Sequence, residues 1–218
     1  MSILYIVATP IGNLEDITLR ALRILKEVKV IYCEDTRHTK QALVHWDIKT
    51  SCVSLHQHSS PAKLQEVVRR LSRGEDIAYV TDAGTPGISD PGGRLVEAVV
   101  TAGFSAVPIP GPSAVAAALS ASGLPTDHFR FLGFPPLKGR ENFWKKVLEQ
   151  KETFVFYESS HRLVKALDEL IRLGAGERRC VVARELTKKF ETFYRGTVTQ
   201  VLEKLPPLIK GEIVVVVV

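Results

Sequence analysis

Cysteine is scarce in this chain. Cys33, Cys52 and Cys180 are the only three in 218 residues, and no two stand at the spacing of a metal site or a redox pair. That argues against a disulfide framework and for three reduced thiols. Long apolar runs are also missing. None approaches the ~20 residues that span a bilayer, so no membrane partner is expected. The opening MSILYIVATPIGN carries no basic leader ahead of its short apolar stretch. It reads as a first strand rather than a secretion signal, and a cytoplasmic protein is expected. No GxGxxG follows that strand and no Walker A loop occurs, which disfavours a nicotinamide Rossmann enzyme and a P-loop kinase. Repeats and low-complexity segments are absent as well.

What is present is an ordinary globular balance, 45% hydrophobic and 24% charged residues. The net charge of +5 is unevenly placed. Residues 1–127 hold 12 Lys/Arg against 13 Asp/Glu, and residues 128–218 hold 17 against 11. A polyanionic partner would be steered to the second part, although a solvated basic face would give the same count.

Strand-like and helix-like patterns alternate. Strands are predicted at Ile3–Ala8, Val30–Cys33, Cys52–Leu55, Ile77–Val80 and Ala106–Ile109. Between them lie amphipathic helices, among them Leu64, Val67, Val68 and Leu71 at i, i+3, i+4, i+7. Thr18 stands where a helix cap is wanted. This pattern predicts an α/β fold with a mostly parallel sheet. Helix breakers and a change in charge balance coincide at Gly123-Leu124-Pro125-Thr126-Asp127, which places a domain boundary there, with domains 1–123 and 124–218. The second domain is predicted to be α/β with a mixed sheet ending in the β-branched run Ile213–Val218.

Ligands of parallel α/β sheets bind at the carboxyl ends of strands. Unusual loops follow those ends: Thr9-Pro10-Ile11-Gly12-Asn13, Glu34-Asp35-Thr36-Arg37-His38-Thr39, Asp82 to Gly93, and Pro108 to Ser113. The Asp82–Gly93 loop holds four glycines and two prolines in twelve residues. Glycine permits close approach of a ligand to the backbone, and proline limits the order that binding must impose. The common methyltransferase fold has its glycine loop after strand one; here the densest one lies near residue 84.

The stretches LYIVATPIGNLEDITLRAL (4–22), EDTRHT (34–39), VTDAGTPGISDPG (80–92), PIPGPSA (108–114), SGLPTDHFRFLGFPP (122–136), FYESSHRL (156–163) and ARELTKKFE (183–191) run in collinear order. In that order they resemble the tetrapyrrole methylase superfamily, the class III methyltransferases. Within it they resemble the ribosomal RNA small subunit methyltransferase I branch. The resemblance implies two α/β domains of the tetrapyrrole methylase type with S-adenosyl-L-methionine in the cleft between them, and a homodimer. It implies 2′-O-methylation of a cytidine ribose in the decoding region of 16S ribosomal RNA, with the small ribosomal subunit as partner. In corrin and sirohaem relatives the long loop reads Gly-Asp-Pro. Here it is Gly84-Thr85-Pro86, which counts against a tetrapyrrole substrate. Members often carry a further small C-terminal domain, so this sequence is either a short member or part of a longer one. A tetrapyrrole methylase and an RNA-binding module with a vestigial cofactor cleft remain as alternatives.

Cofactor contacts are expected from Pro10, Asp82, Ala83, Gly84, Thr85, Ile88, Ser89 and Ser113. The resemblance adds Tyr157, Ala183 and Arg184. Asp82 and Asp90 could meet a cationic ligand or simply cap turns. A ribose hydroxyl needs positioning and a base. Glu34, Asp35 and His38 are candidates, with Lys188 beside them as a group that orients ribose or phosphate; Glu158 and Glu185 are further carboxylates. Arg37, Arg140, Arg162 and Lys189 are expected at the substrate, within a wider basic set that includes Lys138, Lys145, Lys146, Lys165, Arg178 and Arg179. Phe134 and Tyr157 are candidates to stack on an unpaired base, while Trp144 fits an apolar stripe better. His56 and His58, two apart on a strand, lack further ligands at diagnostic spacing, and no metal is expected.

Overall fold

The computed structural model describes residues 2–56, 59–90 and 92–218. Two compact units divide the chain, Met1–Ser113 and Ala114–Val218. The division falls ten residues ahead of the break read at 123/124. The reason is the Ala-rich helix α5 (Ala114–Ser122), which packs on the last strand of the second unit.

In the first unit, strands and helices alternate as β1 (Ile3–Val7), α1 (Leu19–Glu27), β2 (Val30–Cys33), α2 (Thr36–His45), β3 (Cys52–Ser54), α3 (Pro61–Ser72), β4 (Ile77–Val80), α4 (Gly92–Thr101) and β5 (Ser105–Ile109). The sheet order is β3-β2-β4-β1-β5, and every pairing is parallel. Alternate residues of each strand feed two cores, as a pleat requires. Val7, Ile31 and Val80 meet Ile24 and Leu25 of α1 on one face. Leu4, Tyr32 and Tyr79 meet Val67, Leu71 and Leu95 of α3 and α4 on the other. The chain therefore leaves the neighbouring strands β1 and β4 toward opposite faces. A crevice at the carboxyl ends of such a pair is the usual ligand position in open α/β sheets.

Local signals explain the helix starts. The Thr18 side chain accepts from Ala21 N at the head of α1, and Asp35 accepts from Arg37 N at the head of α2. Residues 36–39, read above as loop, are therefore the first turn of α2.

The second unit continues from α5 through β6 (Phe129–Phe131), α6 (Arg140–Leu148), β7 (Thr153–Ser159), α7 (Ser160–Leu170), β8 (Arg179–Arg184), β9 (Thr192–Thr197), α8 (Val198–Lys204) and β10 (Glu212–Val217). Its sheet, β6-β7-β10-β8-β9, is mixed: β6 runs parallel to β7, and the other pairings are antiparallel. Trp144, Leu163, Leu167, Leu170 and Val201 cover one face through Phe154, Phe156, Val182 and Val215. Val214 and Val216 are buried too, which fits a central strand covered on both sides. Among the described residues, no helix is long and apolar enough to cross a membrane, and the three cysteines are free.

Candidate functional site

The strand-end loops of the first unit are tied into one structure. Thr9 and Gly84 exchange two backbone hydrogen bonds, Thr9 N to Gly84 O at 2.9 Å and Gly84 N to Thr9 O at 3.0 Å. The Thr9 hydroxyl donates to Thr81 O at 3.2 Å. Ala8 N bonds Ile109 O, carrying the link to β5. Gly84 has φ +83, a left-handed conformation that costs a side-chain-bearing residue energy. A Cβ on Gly111 would sit 2.9 Å from the Ala8 Cβ, so the turns after β1 and β5 approach too closely for any other residue.

This anchoring sets the form of the long loop. Gly84 and Pro86 are buried, while Asp82, Ala83, Gly87, Ile88 and Ser89 are exposed. The buried positions hold the loop and the exposed ones present it. Ser89 adopts φ 62, a conformation that concentrates at functional sites. The Asp90 Oδ1 accepts from Gly87 N at 2.6 Å and from Gly92 N at 2.9 Å, so this carboxylate closes the turn at the head of α4. The Thr85 hydroxyl donates to Pro112 O at 3.0 Å. An ionised Asp at this position has no proton to give and would face the carbonyl with like partial charge. The Thr is thus built into this version of the loop.

Acidic groups gather at the same edge. The Asp35 N–H donates to Asp82 Oδ1 at 3.2 Å. Burial, then the charges of Asp82 and Asp90, push the Glu34 carboxyl above the ordinary glutamate value. Burial, then Glu34 and Asp90, also raise the buried Tyr79 phenol. Asp35 moves the other way, to about 2, because Arg37 hydrogen-bonds it and neutralises its charge. Glu34, Asp82 and Asp90 together make the strand ends negative, a setting that favours a cation. Beside them lies a cavity of about 40 Å³ whose walls include Pro10, His38, Thr39, Trp46 and Asp82. The Thr39 hydroxyl is buried there, next to the Cys33 thiol. Trp46 did not stand out in the sequence, and Thr39 only as the last residue of the stretch 34–39. Burial at these positions follows from how α2 lies on the sheet, and no local pattern announces it.

The other expected residues divide by unit. Pro10, Asp82, Ala83, Gly84, Thr85, Ile88, Ser89 and Ser113 belong to the first unit, as do Glu34, Asp35, Arg37 and His38. Tyr157 and Ala183 share one row of the second sheet, since both lie opposite Val214. The Tyr157 ring is half-buried between Phe131 and Phe134, with centroids 5.1 and 5.3 Å away. Arg184 donates to Lys210 O and Phe190 O.

Several basic residues are committed inside the fold. Arg140, expected at the substrate, is 7% exposed. Its guanidinium bonds Glu169 Oε2 at 2.7 Å, Glu158 Oε2 at 3.4 Å and Pro136 O at 3.3 Å. No donor face is left for a phosphate, and the substrate expectation is corrected. Arg162 pairs with the buried Glu158 at 2.8 Å, so Glu158 serves this network rather than catalysis. Trp144 is fully buried and donates to Glu169. Lys188 lies 3.0 Å from both Glu185 and Glu212. Burial opposes its charge, but these two carboxylates outweigh that and raise its pKa. Its ammonium is held by these two carboxylates within the second unit. Arg37 is bound to Asp35 yet largely exposed, and Lys189 is exposed. Gln57 and His58 lie outside the described residues. Among the described residues, no group of three or more His, Cys, Asp or Glu is placed to hold a metal.

Comparison with known proteins identifies the family. The family model for Tetrapyrrole (Corrin/Porphyrin) Methylases matches residues 3–202. A Ribosomal RNA small subunit methyltransferase I from Halalkalibacterium halodurans is 46% identical over 219 residues, covering 98% of this chain and 75% of that one. Its namesake from Vibrio cholerae is 52% identical over 192 residues, 87% and 67% of the two chains. Among solved structures, uroporphyrin-III-C-methyltransferase from Thermus thermophilus matches with a TM-score of 0.68 over 100% of this chain and 94% of that one. At 22% identity it speaks to the fold alone. Collinear motifs, the Asp82–Gly93 loop and relatives of this identity lead to one conclusion: the chain belongs to the tetrapyrrole methylase family, in its ribosomal RNA small subunit methyltransferase I branch.

Proposed function

We propose that this methyltransferase uses S-adenosyl-L-methionine to methylate the ribose 2′-hydroxyl of a cytidine in the decoding region of 16S ribosomal RNA. The same proposal takes the small ribosomal subunit as partner and the chain as a cytoplasmic homodimer. The observation that carries it is the anchored loop after β4, whose exposed backbone lies beside a negative strand-end cluster. The residues fit the cofactor. Pro10, Ala83, Gly84, Thr85, Ile88 and Ser89 offer rigid peptide groups, and Asp82 adds negative charge suited to an ammonium or sulfonium. Ser113, Tyr157, Ala183 and Arg184 complete the proposed contacts. When bound, the cofactor supplies a methyl group already activated by its sulfonium.

The protein's own task is then to hold a weak nucleophile and take its proton. Glu34 is the proposed base. Burial and the charges of Asp82 and Asp90 raise its pKa, which makes its carboxylate a better proton acceptor than an ordinary glutamate. His38 and Thr39, which line the cavity beside Asp82, are the proposed residues that position the sugar. Arg37 is paired with Asp35 but 89% exposed, and is the proposed contact to a phosphate. A direct test incubates the chain with methyl-labelled cofactor and unmodified small subunits. Label in the 16S RNA is expected; no label, under conditions where calorimetry detects cofactor binding, refutes the proposal.

A further inference from the structure

The segment Glu185–Glu191 after β8 is held in an unusual conformation. Glu185 and Thr187 both have positive φ, 52 and 66, which costs non-glycine residues energy. The turn is fastened all the same. Lys188 ties Glu185 to Glu212, Thr187 N donates to Glu191 Oε2 at 2.7 Å, and Glu212 N donates to Glu185 Oε1 at 2.9 Å. Two donors then fix the backbone of Phe190: the Thr192 hydroxyl at 3.0 Å and Arg184 Nη1 at 3.4 Å both reach its carbonyl. This bracing leaves the Phe190 ring outside, 65% exposed. The Lys189 ammonium stands 5.7 Å from the ring centroid and makes no ion pair among the described residues.

The neighbouring ring behaves differently. Phe193 is half-buried beneath Arg195, 4.4 Å from its centroid, and that guanidinium donates to Ala121 O. Its cation is used within the fold; that of Phe190 is not. A fixed, solvent-facing ring beside an unpaired cation is how proteins take an unstacked base and its phosphate. The charge agrees, since the unit that carries it has 17 Lys/Arg against 12 Asp/Glu in residues 114–218.

We propose that Phe190 is a stacking platform for an unpaired base of the RNA substrate, with Lys189 meeting the adjoining phosphate. The inference rests on the RNA reading above. It is tested by steady-state methylation of unmodified small subunits with the full chain. Phe190→Ala is expected to raise the KM for subunits on the order of tenfold, with the KM for the cofactor unchanged. Phe190→Tyr should stay within about twofold, because any aromatic face stacks. Lys189→Ala should flatten the salt dependence of subunit binding by about 0.7 in log–log slope. An unchanged KM in Phe190→Ala overturns the proposal. So does an equal loss in Phe190→Tyr, or a change of oligomeric state in sedimentation, which would give the ring to a second copy of the chain. If the unmutated chain transfers no label to subunits, the RNA reading itself fails. If it transfers label and Phe190→Ala does so equally well, only this inference fails.

Discussion

Arg140 separates a structural from a nucleic-acid role for the basic second unit. Its side chain is 7% exposed, and the carboxylates it neutralises are 0% (Glu158) and 11% (Glu169) exposed. Replacement by Met keeps much of the volume but strands two buried anions. Glu158 retains Arg162 and the Ser159 N–H, so its loss is partial. Glu169 keeps the Trp144 indole N–H. Breaking a buried pair from one side costs about 3–5 kcal/mol. The surviving partners place Arg140→Met at the lower end, about 3 kcal/mol. For a chain of this size that corresponds to a fall in Tm of roughly 6–12 °C, read by calorimetry. Arg140→Met combined with Glu158→Gln and Glu169→Gln removes the stranded charges and should recover a large part of the loss. Salt dependence of subunit binding should not change in either protein. An Arg140→Met protein with wild-type Tm and a reduced salt slope would refute the buried-network account and restore Arg140 to the RNA surface.

Glu34→Gln should lower kcat by roughly 10²–10⁴-fold. Because its folded pKa is raised, Glu34 favours the fold when protonated, and that contribution is lost as pH rises through the folded value. Glu34→Gln should therefore raise Tm near pH 7, with the gain shrinking below about pH 4; a lower Tm near pH 7 would contradict this. The acid limb of the kcat/KM profile should also lie above the ordinary glutamate value of 4.5. Gly84→Ala forces a side chain into φ +83 at a cost of about 1–2 kcal/mol, and calorimetry should show weaker cofactor binding. Thr85→Asp should weaken cofactor binding more than Thr85→Ser, since only the hydroxyl can donate to Pro112 O; equal affinities would dismiss the bond as incidental.

The alternating architecture was legible because helices and strands bury faces of different period. Leu64, Val67, Val68 and Leu71 lie on α3, and the run 213–217 is the central β10. The glycine-rich loop was legible as well, since its composition reflects backbone geometry directly. Less visible was the start of α2. Asp35 was weighed as an acid or base, and its capping of Arg37 N emerged only from the backbone. The Arg140 network had a partial signal. Phe154, Phe156 and Glu158 occupy alternate positions of β7, so the carboxylate enters the same core as the two rings. A cation had to accompany it. Which cation depends on the packing of α6 and α7 against β7, and no local spacing encodes that.

The two units carry charge suited to opposite tasks. Residues 1–113 balance 12 Lys/Arg with 12 Asp/Glu, yet Glu34, Asp82 and Asp90 gather at the strand ends. An RNA backbone brought against that edge alone would be repelled, whereas a cationic methyl donor would be drawn to it. The positive excess that could attract phosphates resides in residues 114–218. Even there the count overstates what is available, because Arg130, Arg140, Lys145, Arg162 and Lys188 are all paired with carboxylates. Lys138, Lys146, Lys165 and Lys189 are exposed and make no ion pair among the described residues. Fewer groups are therefore available to attract RNA than the sequence count suggests, which gives weight to the proposed stacking on Phe190, a contact that does not depend on charge.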